Sequence, residues 1–500
     1  MKLRQVKQLR NFFEKYLNYK GINLWLVSET AIFTHFLNNP KKIRMHQKLK
    51  HRVMKYVIMY KNKQREKEKI ISSGSLKEGS DESESGTEVS EIADVAILVS
   101  AASHVSTLIP VIKKIGVKNV KIIKYDRLSS EITKEHLEKN KIDYTSIDSY
   151  MDDKVKQELK NAGKWLERQF DKIKNDDELK KILVEDYEYV IDVLEYFMKT
   201  RKRFIEAIRL IELVAKIYEK NNTKIVVLAE DNHDFGRAAV LVGRKKKIKS
   251  LVVQHGLNYG NPIFNEVIAD KMAVFGEKEK QHLIDGGAES NNIIVTGQPR
   301  FDEITIRSRR LRKDACKEFG LDDKKKIIIF GAQPPQSQTI INANIEFIET
   351  VNKIINNGDN GFEFVVKLHP RMEKEDFPPL PENVKVFKDV NLYDLFDCCD
   401  LLVTCYSTVG IESVFLGRPC ISIEIGEKLG SINYGGEGVG YTVYEKGMLN
   451  QAIKKVLFGV EFNKNFEKNK MNFIRNFAYR LDGKSTQRIV DLINIMKMKR

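Results

Sequence analysis

Short apolar segments rich in valine and isoleucine recur along this 500-residue chain and alternate with longer segments of helical periodicity. The alternation becomes regular at Lys224, stops in a basic stretch between Arg300 and Lys326, and then starts again. An uninterrupted apolar run suits a strand that is buried on both faces of a parallel sheet, and the helical segments supply the crossovers between such strands. The alternation therefore predicts two doubly wound α/β domains.

The apolar segments fix the domain boundaries. The predicted strands are 94–100, 120–124, 224–230, 250–254, 271–276 and 292–297, and then 326–332, 362–370, 384–387, 400–407 and 420–425. Residues 152–221 carry apolar residues at spacings of three and four, which predicts an insert of two or three helices. We therefore predict one Rossmann-like domain over 92–310, which contains this insert, and a second over 311–500, whose last helix crosses back to the first.

The positive charge of the chain is concentrated near its start. Residues 1–70 hold 18 lysines and arginines against four glutamates, so they carry +14 of the net charge of +16. Phe12, Phe13, Tyr16 and Leu17 recur there at helical spacing among lysines. Two interpretations stand: the aromatic stripe packs on the body of the protein, or this basic amphipathic leader contacts an anionic membrane surface. Nucleic acid is disfavoured as a partner because no recognition motif accompanies the charge.

Composition limits the remaining choices. Residues 71–91 are mostly serine, glycine and acidic residues, which predicts a disordered acidic linker. No uncharged apolar run reaches the about 20 residues that a membrane-spanning helix needs, since the best candidate, residues 21–37, contains Glu29 and His35. The start of the chain lacks the pattern of a signal peptide, and the five cysteines form no CxxC pair. We expect a cytoplasmic protein with reduced cysteines and no metal site.

The second predicted domain carries a histidine and an arginine at a strand end. Ligands of doubly wound domains bind at the carboxyl ends of the strands. Strand 362–370 ends in His369 and Pro370 and is followed by Arg371, and the proline fixes the direction of the loop. We expect the imidazole and the guanidinium to lie at the mouth of a cleft across which the two domains face each other. The alternative is a histidine that bonds to a local carbonyl.

Residues 406–419 have the sequence YSTVGIESVFLGRP and lead from a strand end directly into a helix. Ser407 or Thr408 can cap this helix, whose first N–H groups and positive dipole end suit a phosphate. Gly410 would let a ligand come close. Glu412 lies one turn from Thr408 on the same face, where a carboxylate can accept two ribose hydroxyls. The alternative is an ordinary capped helix with a surface glutamate.

The strand ends of the first domain offer groups for acid–base chemistry. His255 follows one strand, and Glu230, Asp231 and Asp234 follow the preceding one. An imidazole or carboxylate there, facing a nucleotide in the second domain, is what a general base needs to take a proton from an acceptor hydroxyl. The sequence contains no GxxxxGK[ST], HExxH or GxSxG motif, which disfavours P-loop hydrolysis, zinc proteolysis and α/β-hydrolase chemistry.

Four motifs, taken together in this order, resemble those of a known superfamily. They are QHG at 254–256, TGQPRFD at 296–302, KLHPR at 367–371 and YSTVGIESVFLGRP at 406–419. They are similar to motifs of the GT-B-fold transferases of surface polysaccharide synthesis. That superfamily includes CDP-glycerol glycerophosphotransferases, bacterial sialyl-, polysialyl- and capsule glycosyltransferases and, more distantly, UDP-N-acetylglucosamine 2-epimerases. The resemblance implies a GT-B fold with an acceptor domain over 92–310 and a nucleotide-binding domain over 311–500.

The resemblance also implies roles for residues of the second domain. Carried over by position, His369 and Arg371 meet the phosphates of the donor. Ser407 and Thr408 bind phosphate as well, and Glu412 holds the ribose. No metal or other cofactor is implied beyond the nucleotide-activated donor.

In the first domain, His255 matches the histidine that glycerophosphotransferases use as a candidate base. The sialyltransferases instead carry a carboxylate pair followed by glycine, and here Glu230 and Asp231 are followed by Asn232. Gly256 stands where the epimerases have an acidic residue after their histidine. The resemblance therefore favours a transferase over an epimerase.

The expected function is that of a metal-independent glycosyltransferase. It would move a sugar from a nucleotide-activated donor to a lipid-linked or polymeric surface glycan, with a peripheral position on the inner face of the plasma membrane. Three alternatives stay open: a polyol-phosphate transferase that uses a CDP-polyol donor, an epimerase, and a non-enzymatic nucleotide-binding module at the membrane surface.

Overall fold

The computed structural model describes residues 3–28, 94–125, 130–174, 201–256, 266–405, 407–426 and 432–498, together with residues 176 and 178. These residues form two compact units. The first contains the described residues up to 28, those from 94 to 306 and those from 475 onward, and the second contains those from 307 to 474. The predicted linker and residues 29–70 of the predicted leader lie outside the described residues.

The described strands are, in chain order, β1 (Asn18–Tyr19), β2 (Ile22–Asn23), β3 (Val95–Val99), β4 (Val120–Lys124), β5 (Thr145–Ser146), β6 (Ile225–Leu228), β7 (Lys249–Val253), β8 (Lys271–Val274), β9 (Ile293–Val295), β10 (Lys326–Gly331), β11 (Phe362–Lys367), β12 (Lys385–Phe387), β13 (Leu401–Thr404), β14 (Cys420–Ile423) and β15 (Gly440–Val443). The described α-helices are α1 (Leu3–Tyr16), α2 (Ala102–Ile115), α3 (Ser130–Lys139), α4 (Asp153–Lys174), α5 (Arg201–Lys220), α6 (Asp234–Lys245), α7 (Glu277–Asp285), α8 (Asp302–Ile306), α9 (Arg312–Glu318), α10 (Gln338–Asn356), α11 (Leu392–Cys398), α12 (Val409–Phe415), α13 (Leu449–Phe458), α14 (Val460–Ala478) and α15 (Ser485–Met498).

Strands β3 to β9 of the first unit form a parallel sheet in the order β5-β4-β3-β6-β7-β8-β9. Successive side chains of a strand point to opposite faces of the sheet. Val226 and Leu228 accordingly lie in one apolar core, while Ile225 and Val227 lie in another. Both faces of this sheet are therefore covered, as the uninterrupted apolar runs predict.

The described part of the leader packs into the first unit. Phe13 stacks on Trp25 with ring centroids 4.2 Å apart, and both side chains are fully buried. Arg10 forms a bidentate ion pair with Glu266, and the buried Arg237 donates to the same carboxylate and to the carbonyl of Leu26. For residues 3–28 the structure therefore supports the packing interpretation of the aromatic stripe.

The C-terminal helix α15 belongs to the core of the first unit, where Ile489 and Ile493 pack with the strands. The TGQPRFD motif holds the start of this helix. Both carboxylate oxygens of Asp302 accept from backbone N–H groups, those of Ser485 and Thr486, at 2.9 and 2.8 Å. Gly297 has a φ of +78°, and a Cβ there would meet the carbonyl oxygen of Ala478 at 2.9 Å. Through Asp302 the motif thus holds a segment that lies 183 positions away in the sequence.

Strands β10 to β15 of the second unit form a parallel sheet in the order β12-β11-β10-β13-β14-β15. Helices α10 and α13 cover one face, where Phe347 and Ile453 pack against strand residues such as Phe330 and Val366. Strand β15 was not among the predicted strands. The fold prediction of two Rossmann-like domains is confirmed, and among the described helices none is long and apolar enough to cross a membrane.

Candidate active site

The carboxyl edge of the first sheet has its topological switch point between β3 and β6, because the chain moves outward from β3 in one direction and from β6 in the other. Open α/β sheets bind ligands in the crevice at such a point. Ser100 follows β3, Ala229 follows β6 and Gln254 follows β7. The polar residues just beyond these three strand ends are therefore the ones placed to act on a ligand.

His255 lies directly beyond β7, as the sequence predicts for a base at this edge. Its Nδ1 is 3.0 Å from the carbonyl oxygen of Ala229. A carbonyl oxygen can only accept, so Nδ1 carries the hydrogen and Nε2 presents a lone pair. Neutral imidazole held in this tautomer by a backbone carbonyl is the form that a general base needs.

His104, in the first turn of α2, joins this edge. The centroid of its ring is 4.7 Å from that of His255, and its Nδ1 lies 3.3 Å from Oγ of Ser100. Burial is the main reason why the pKa of His104 falls to about 4, the nearby carboxylate of Glu230 opposing this effect and the charges of His255 and His233 adding to it. His104 is therefore neutral at pH 7. The sequence interpretation did not select it as a site residue.

Glu230 lies beyond β6 and contacts two imidazoles. Its Oε2 is 2.9 Å from Nδ1 of His233, and its Oε1 is 3.8 Å from Nε2 of His104. Burial opposes ionisation of this carboxyl, yet the hydrogen bond to His233 and the charges of the surrounding imidazoles lower its pKa to about 2. One carboxylate and three imidazoles thus meet at the switch point of the first sheet.

The other two predicted carboxylates have different surroundings. Oδ2 of Asp231 accepts from the backbone N–H groups of Ile268 and Ala269 at 2.8 and 2.9 Å. Burial raises the pKa of Asp231, against the effect of these two hydrogen bonds and of Arg237. With only 2% of its surface exposed, Asp231 anchors the segment that leads into β8 instead of facing the edge. Asp234 is buried in the first turn of α6.

Three strands end in register at the carboxyl edge of the second sheet. Gly331 at the end of β10 is paired in register with Lys367 of β11 and with Thr404 of β13. The switch point of this sheet lies between β10 and β13. His369 follows two residues after Lys367, and Ser407 three residues after Thr404. The predicted phosphate-binding residues therefore follow strands that flank the same central strand.

His369 has the opposite tautomer from His255. Its Nδ1 accepts from the backbone N–H of Arg371 at 3.1 Å, so in the neutral ring the hydrogen is on Nε2. The pKa of His369 falls to about 4, chiefly through burial and then through the charges of Arg371 and Lys367. The ring is a neutral donor at pH 7, and its Nδ1 bonds to a backbone N–H and not to a local carbonyl.

Lys367 adds a cation that the sequence interpretation passed over. Its Nζ donates to the carbonyl of Leu368 at 2.9 Å. Burial lowers the pKa of this ammonium group, although the carboxylate of Asp389 opposes the shift. The neighbouring Arg371 is exposed. The loop after β11 thus presents two cationic side chains and one neutral N–H donor, a set that suits phosphate oxygens.

The turn into α12 is held by Ser407, whose Oγ lies 3.3 Å from the backbone N–H of Val409. Thr408 occupies the N-cap position with helical φ and ψ, and its side chain makes no cap bond. Glu412 is only 7% exposed, so the alternative of a surface glutamate is wrong. Another buried carboxylate, that of Glu424, follows β14 and is 5% exposed, and it accepts from Oγ of Ser422 at 3.2 Å.

Packing within the second unit explains the glycine at position 410, and the sequence did not reveal this explanation. A Cβ at this position would collide with Oη of Tyr434 and would lie 2.8 Å from Sγ of Cys420. Both atoms belong to the second unit itself. The absence of a side chain at Gly410 therefore lets α12 pack against its own domain, and close approach of a ligand at this glycine stays a prediction.

The arrangement defines a class of protein. Two parallel-sheet Rossmann-like units with functional groups at the carboxyl edges constitute the GT-B fold. Residues 287–495 match the family model described as CDP-glycerol:poly(glycerophosphate) glycerophosphotransferase. The predicted resemblance to this superfamily is thereby confirmed for residues 287–495, and the family description agrees with the predicted enzyme class, a GT-B transferase. The match covers the whole second sheet and leaves His255 and Glu230 outside.

Solved structures show the same fold at low sequence identity. UDP-GlcNAc 2-epimerase from Neisseria meningitidis, solved with UDP-GlcNAc, is 16% identical, with a TM-score of 0.51 over 80% of this chain and 99% of that one. A glycosyltransferase from Rickettsia africae is 15% identical, with a TM-score of 0.50 over 81% and 99%. The glycotransferase of kitacinnamycin is 10% identical, with a TM-score of 0.51 over 80% and 98%.

Among curated proteins, the lipid-A-disaccharide synthase of Trichlorobacter lovleyi is 25% identical over 185 residues. The aligned part is 36% of this chain and 42% of that protein, so the match spans less than half of the relative's length. The likeness is thus confined to a part of each protein.

Proposed function

We propose that this protein is a metal-independent GT-B transferase that moves a group from a nucleotide-activated donor to a hydroxyl of a lipid-linked or polymeric surface glycan. One observation carries the proposal: the two sheets end in chemically different edges. The first edge holds a histidine with a free Nε2 lone pair, and the second holds cations and N–H donors. A transfer reaction needs both functions, a base for the acceptor and an anion site for the leaving group.

In the second unit, His369, Arg371 and Lys367 bind the phosphates of the donor. Nε2–H of His369 donates without a charge of its own, and the two cations offset the charge that develops on the departing diphosphate. Ser407 orders the turn beside them, with Thr408 at the helix start. The Glu412 carboxylate accepts from the ribose hydroxyls.

In the first unit, Nε2 of His255 takes the proton from the acceptor hydroxyl. The acceptor oxygen then forms the new bond to the transferred group, the bond between that group and the nucleotide phosphate breaks, and its electrons leave with the nucleotide. Glu230 stabilises the imidazolium form in this mechanism, because an ionised carboxylate lies in the same cluster.

A second candidate, transfer of a polyol phosphate from a CDP-polyol donor, is favoured by the family model that matches residues 287–495. The same residues would serve it, because the leaving group is again a nucleotide phosphate. The two candidates differ in the donor and in the bond that breaks: the anomeric C–O bond of a sugar nucleotide in the first, and a P–O bond of the CDP-polyol diphosphate in the second. Turnover of CDP-glycerol with release of CMP, and none with sugar nucleotides, would establish the second candidate over the first.

A thermal-shift screen with CMP, CDP, UDP and GDP tests the nucleotide site. A ligand at one hundred times its dissociation constant adds ~2.7 kcal/mol of stability, so the matching nucleotide should raise Tm clearly. In Glu412→Gln the shift should shrink, because hydrogen bonds to a charged acceptor contribute about 1.5–3 kcal/mol each. Exposed Arg309 provides the control variant Arg309→Ala. If no nucleotide shifts Tm, the donor-binding role of the second unit is wrong.

Incubation with UDP-GlcNAc in the absence of an acceptor distinguishes the epimerase alternative, since an epimerase converts that sugar nucleotide by itself. A binding module would instead bind a nucleotide and release no product with any donor and acceptor pair. Transfer to an added glycan acceptor is the outcome that our proposal requires.

Membrane contact is part of the proposal. Residues 29–70, which lie outside the described residues, carry 12 lysines and arginines against three glutamates. A basic segment of this kind binds anionic lipid by about 1 kcal/mol per well-placed cation, which would hold the enzyme at the inner face of the plasma membrane. Co-sedimentation with phosphatidylserine vesicles, lost at high salt and absent with phosphatidylcholine, is the expected result. Equal sedimentation with both lipids contradicts it.

A further inference from the structure

We propose that His104, Glu230 and His255 form a binding site for one divalent transition-metal ion of the Zn²⁺ type at the carboxyl edge of the first sheet. These three side chains each offer one ligand atom, and the three atoms lie within 4.8 Å of one another. Two imidazoles with one carboxylate are a ligand set that zinc uses in proteins, with a fourth position left open.

The separations suit closure around a small cation. Metal–ligand bonds of about 2.0–2.1 Å place the ligand atoms of a tetrahedral site roughly 3.3 Å apart. Nε2 of His104 and Oε1 of Glu230 are already 3.8 Å apart. Side-chain rotations that move the ligand atoms by about 1 Å bring them to this separation, and no strand has to move.

Each proposed ligand also has an outer hydrogen-bond partner, which is the arrangement that orients metal ligands in proteins. Nδ1 of His255 donates to the carbonyl of Ala229. Nδ1 of His104 accepts from the backbone N–H of Ser100 at 3.4 Å, and Oγ of Ser100 lies 3.3 Å from it. Binding of an ion at Nε2 therefore moves the ring hydrogen to Nδ1, where Oγ of Ser100 can accept it. Oε2 of Glu230 is bonded to His233, so Oε1 remains for the ion.

The ligand chemistry selects the kind of ion. The five cysteines all lie in the second unit, so no thiolate contributes to this group. Imidazole nitrogen favours Zn²⁺, Co²⁺ or Ni²⁺ over Mg²⁺ and Ca²⁺, which prefer sites made of oxygen. The three ligands follow β3, β6 and β7, which are adjacent strands of one sheet. The sheet is a rigid support that fixes the spacing of the ligands.

The site has a consequence for catalysis that rests on the proposed function. Nε2 of His255 is both the proposed base and a proposed metal ligand, and one lone pair cannot hold a metal ion and a proton together. Bound Zn²⁺ should therefore inhibit the transferase, and a chelator should restore its activity.

Binding is measured first, without donor or acceptor. The full-length chain, freed of metal by a chelator, is titrated with Zn²⁺ by calorimetry and with Co²⁺ by absorption spectroscopy. We expect one equivalent to bind, with Co²⁺ bands of nitrogen and oxygen ligands and no thiolate charge-transfer band. His104→Ala and Glu230→Gln should each weaken this binding by more than the ~10–100-fold that the loss of an outer partner costs.

Two controls separate this site from other histidines. His282→Ala, on α7 of the same unit, should bind Zn²⁺ as the unchanged protein does. The triple variant with alanine at His35, His46 and His51 tests the leader and should also retain the site. Circular dichroism of each variant shows whether it folds, and Glu230→Gln keeps the volume of the side chain where His104→Ala does not.

Several results overturn the inference: no binding of Zn²⁺, binding that His104→Ala and Glu230→Gln leave unchanged, or a thiolate band with Co²⁺. The proposed function fails by a different result, since metal binding with no transfer from any donor would contradict the transferase and leave the metal site standing. Transfer activity without metal binding would contradict the metal site and leave the proposed function standing.

Discussion

The carboxyl edges of the two sheets have the same topology and different chemistry. In each sheet the chain leaves a central strand in both directions, and the residues of interest follow the strands beside that switch point. The first edge collects imidazoles around the ionised carboxylate of Glu230. The second edge collects Lys367 and Arg371 around an imidazole that stays neutral. The same architecture thus presents imidazoles and a carboxylate in one unit, and cations and an N–H hydrogen-bond donor in the other.

The two histidines illustrate this difference most directly. A backbone carbonyl holds His255 with its Nε2 lone pair free, whereas a backbone N–H holds His369 with its Nε2 hydrogen free. One backbone atom therefore decides whether a strand-end histidine accepts or donates. The residue type alone therefore does not determine whether a histidine at such an edge accepts or donates a hydrogen bond.

The strongest test removes the proposed base. His255→Ala should lower the rate of transfer by ~10² to 10⁴, because the acceptor hydroxyl loses its proton acceptor. Nucleotide affinity should stay nearly unchanged, since the donor-binding residues lie in the other unit. Single-turnover kinetics and calorimetry measure the two quantities, with His282→Ala as control. Full activity of His255→Ala would move the base to Glu230 or Asp234.

The matching test removes the imidazole N–H that donates a hydrogen bond at the carboxyl edge of the second sheet. His369→Ala should lower the rate by about 10² to 10³, the usual cost of losing one donor to a developing oxyanion. Donor affinity should fall as well, which distinguishes this variant from His255→Ala. Glu382→Ala, at an exposed position of the same unit, is the control. An equal loss of donor affinity in both histidine variants would remove the distinction between the edges.

The units also differ in how the chain builds them, and Trp25 tests this difference. Its fully buried ring lies in a leader segment distant in sequence from the first sheet. Trp25→Ala should destabilise the protein by about 3–5 kcal/mol, as other losses of large aromatic core residues do. Urea denaturation followed by circular dichroism measures the change. Ile306→Ala, at a site 76% exposed, should change stability little; a similarly small effect of Trp25→Ala would argue against docking of the leader.

The smallest expected effect is a pH dependence of stability. The pKa of His369 is about 4 in the folded protein, against 6.5 for an ordinary histidine. Between these values the unfolded chain binds the proton more tightly, so this contribution is fully present above about pH 6.5 and is lost as the pH falls toward 4. In His369→Asn, the loss of stability between pH 7 and pH 5, measured by urea denaturation, should be smaller than in the unchanged protein. An identical loss in both proteins would mean that burial and the neighbouring cations do not depress this pKa.

The sequence predicts the sheets well because buried parallel strands require long apolar runs. Strand β15 escapes this reasoning because its four residues, Gly440–Val443, include only short apolar stretches and begin with glycine. His255 and His369 both come at the ends of apolar runs in the sequence. The sequence therefore predicts their positions at strand ends as well.

What the sequence does not contain is the environment of each side chain. His104 lies in the first turn of α2, and only the fold shows that this turn meets the same edge as His255. Asp231 has the chemistry of a base, but its partners are backbone groups 37 and 38 positions away. Gly410 is explained by Tyr434 and Cys420, which no local pattern connects with it.

The docking of α15 against β6 and β7 has a consequence for the synthesis of the protein. The core of the first unit contains both Val95 and Ile489, whereas the described residues of the second unit all lie between 307 and 474. Domains emerging from the ribosome usually fold from the N-terminus onward. Here the described residues of the second unit are all translated before α15, so the first unit can complete its core only after they have emerged.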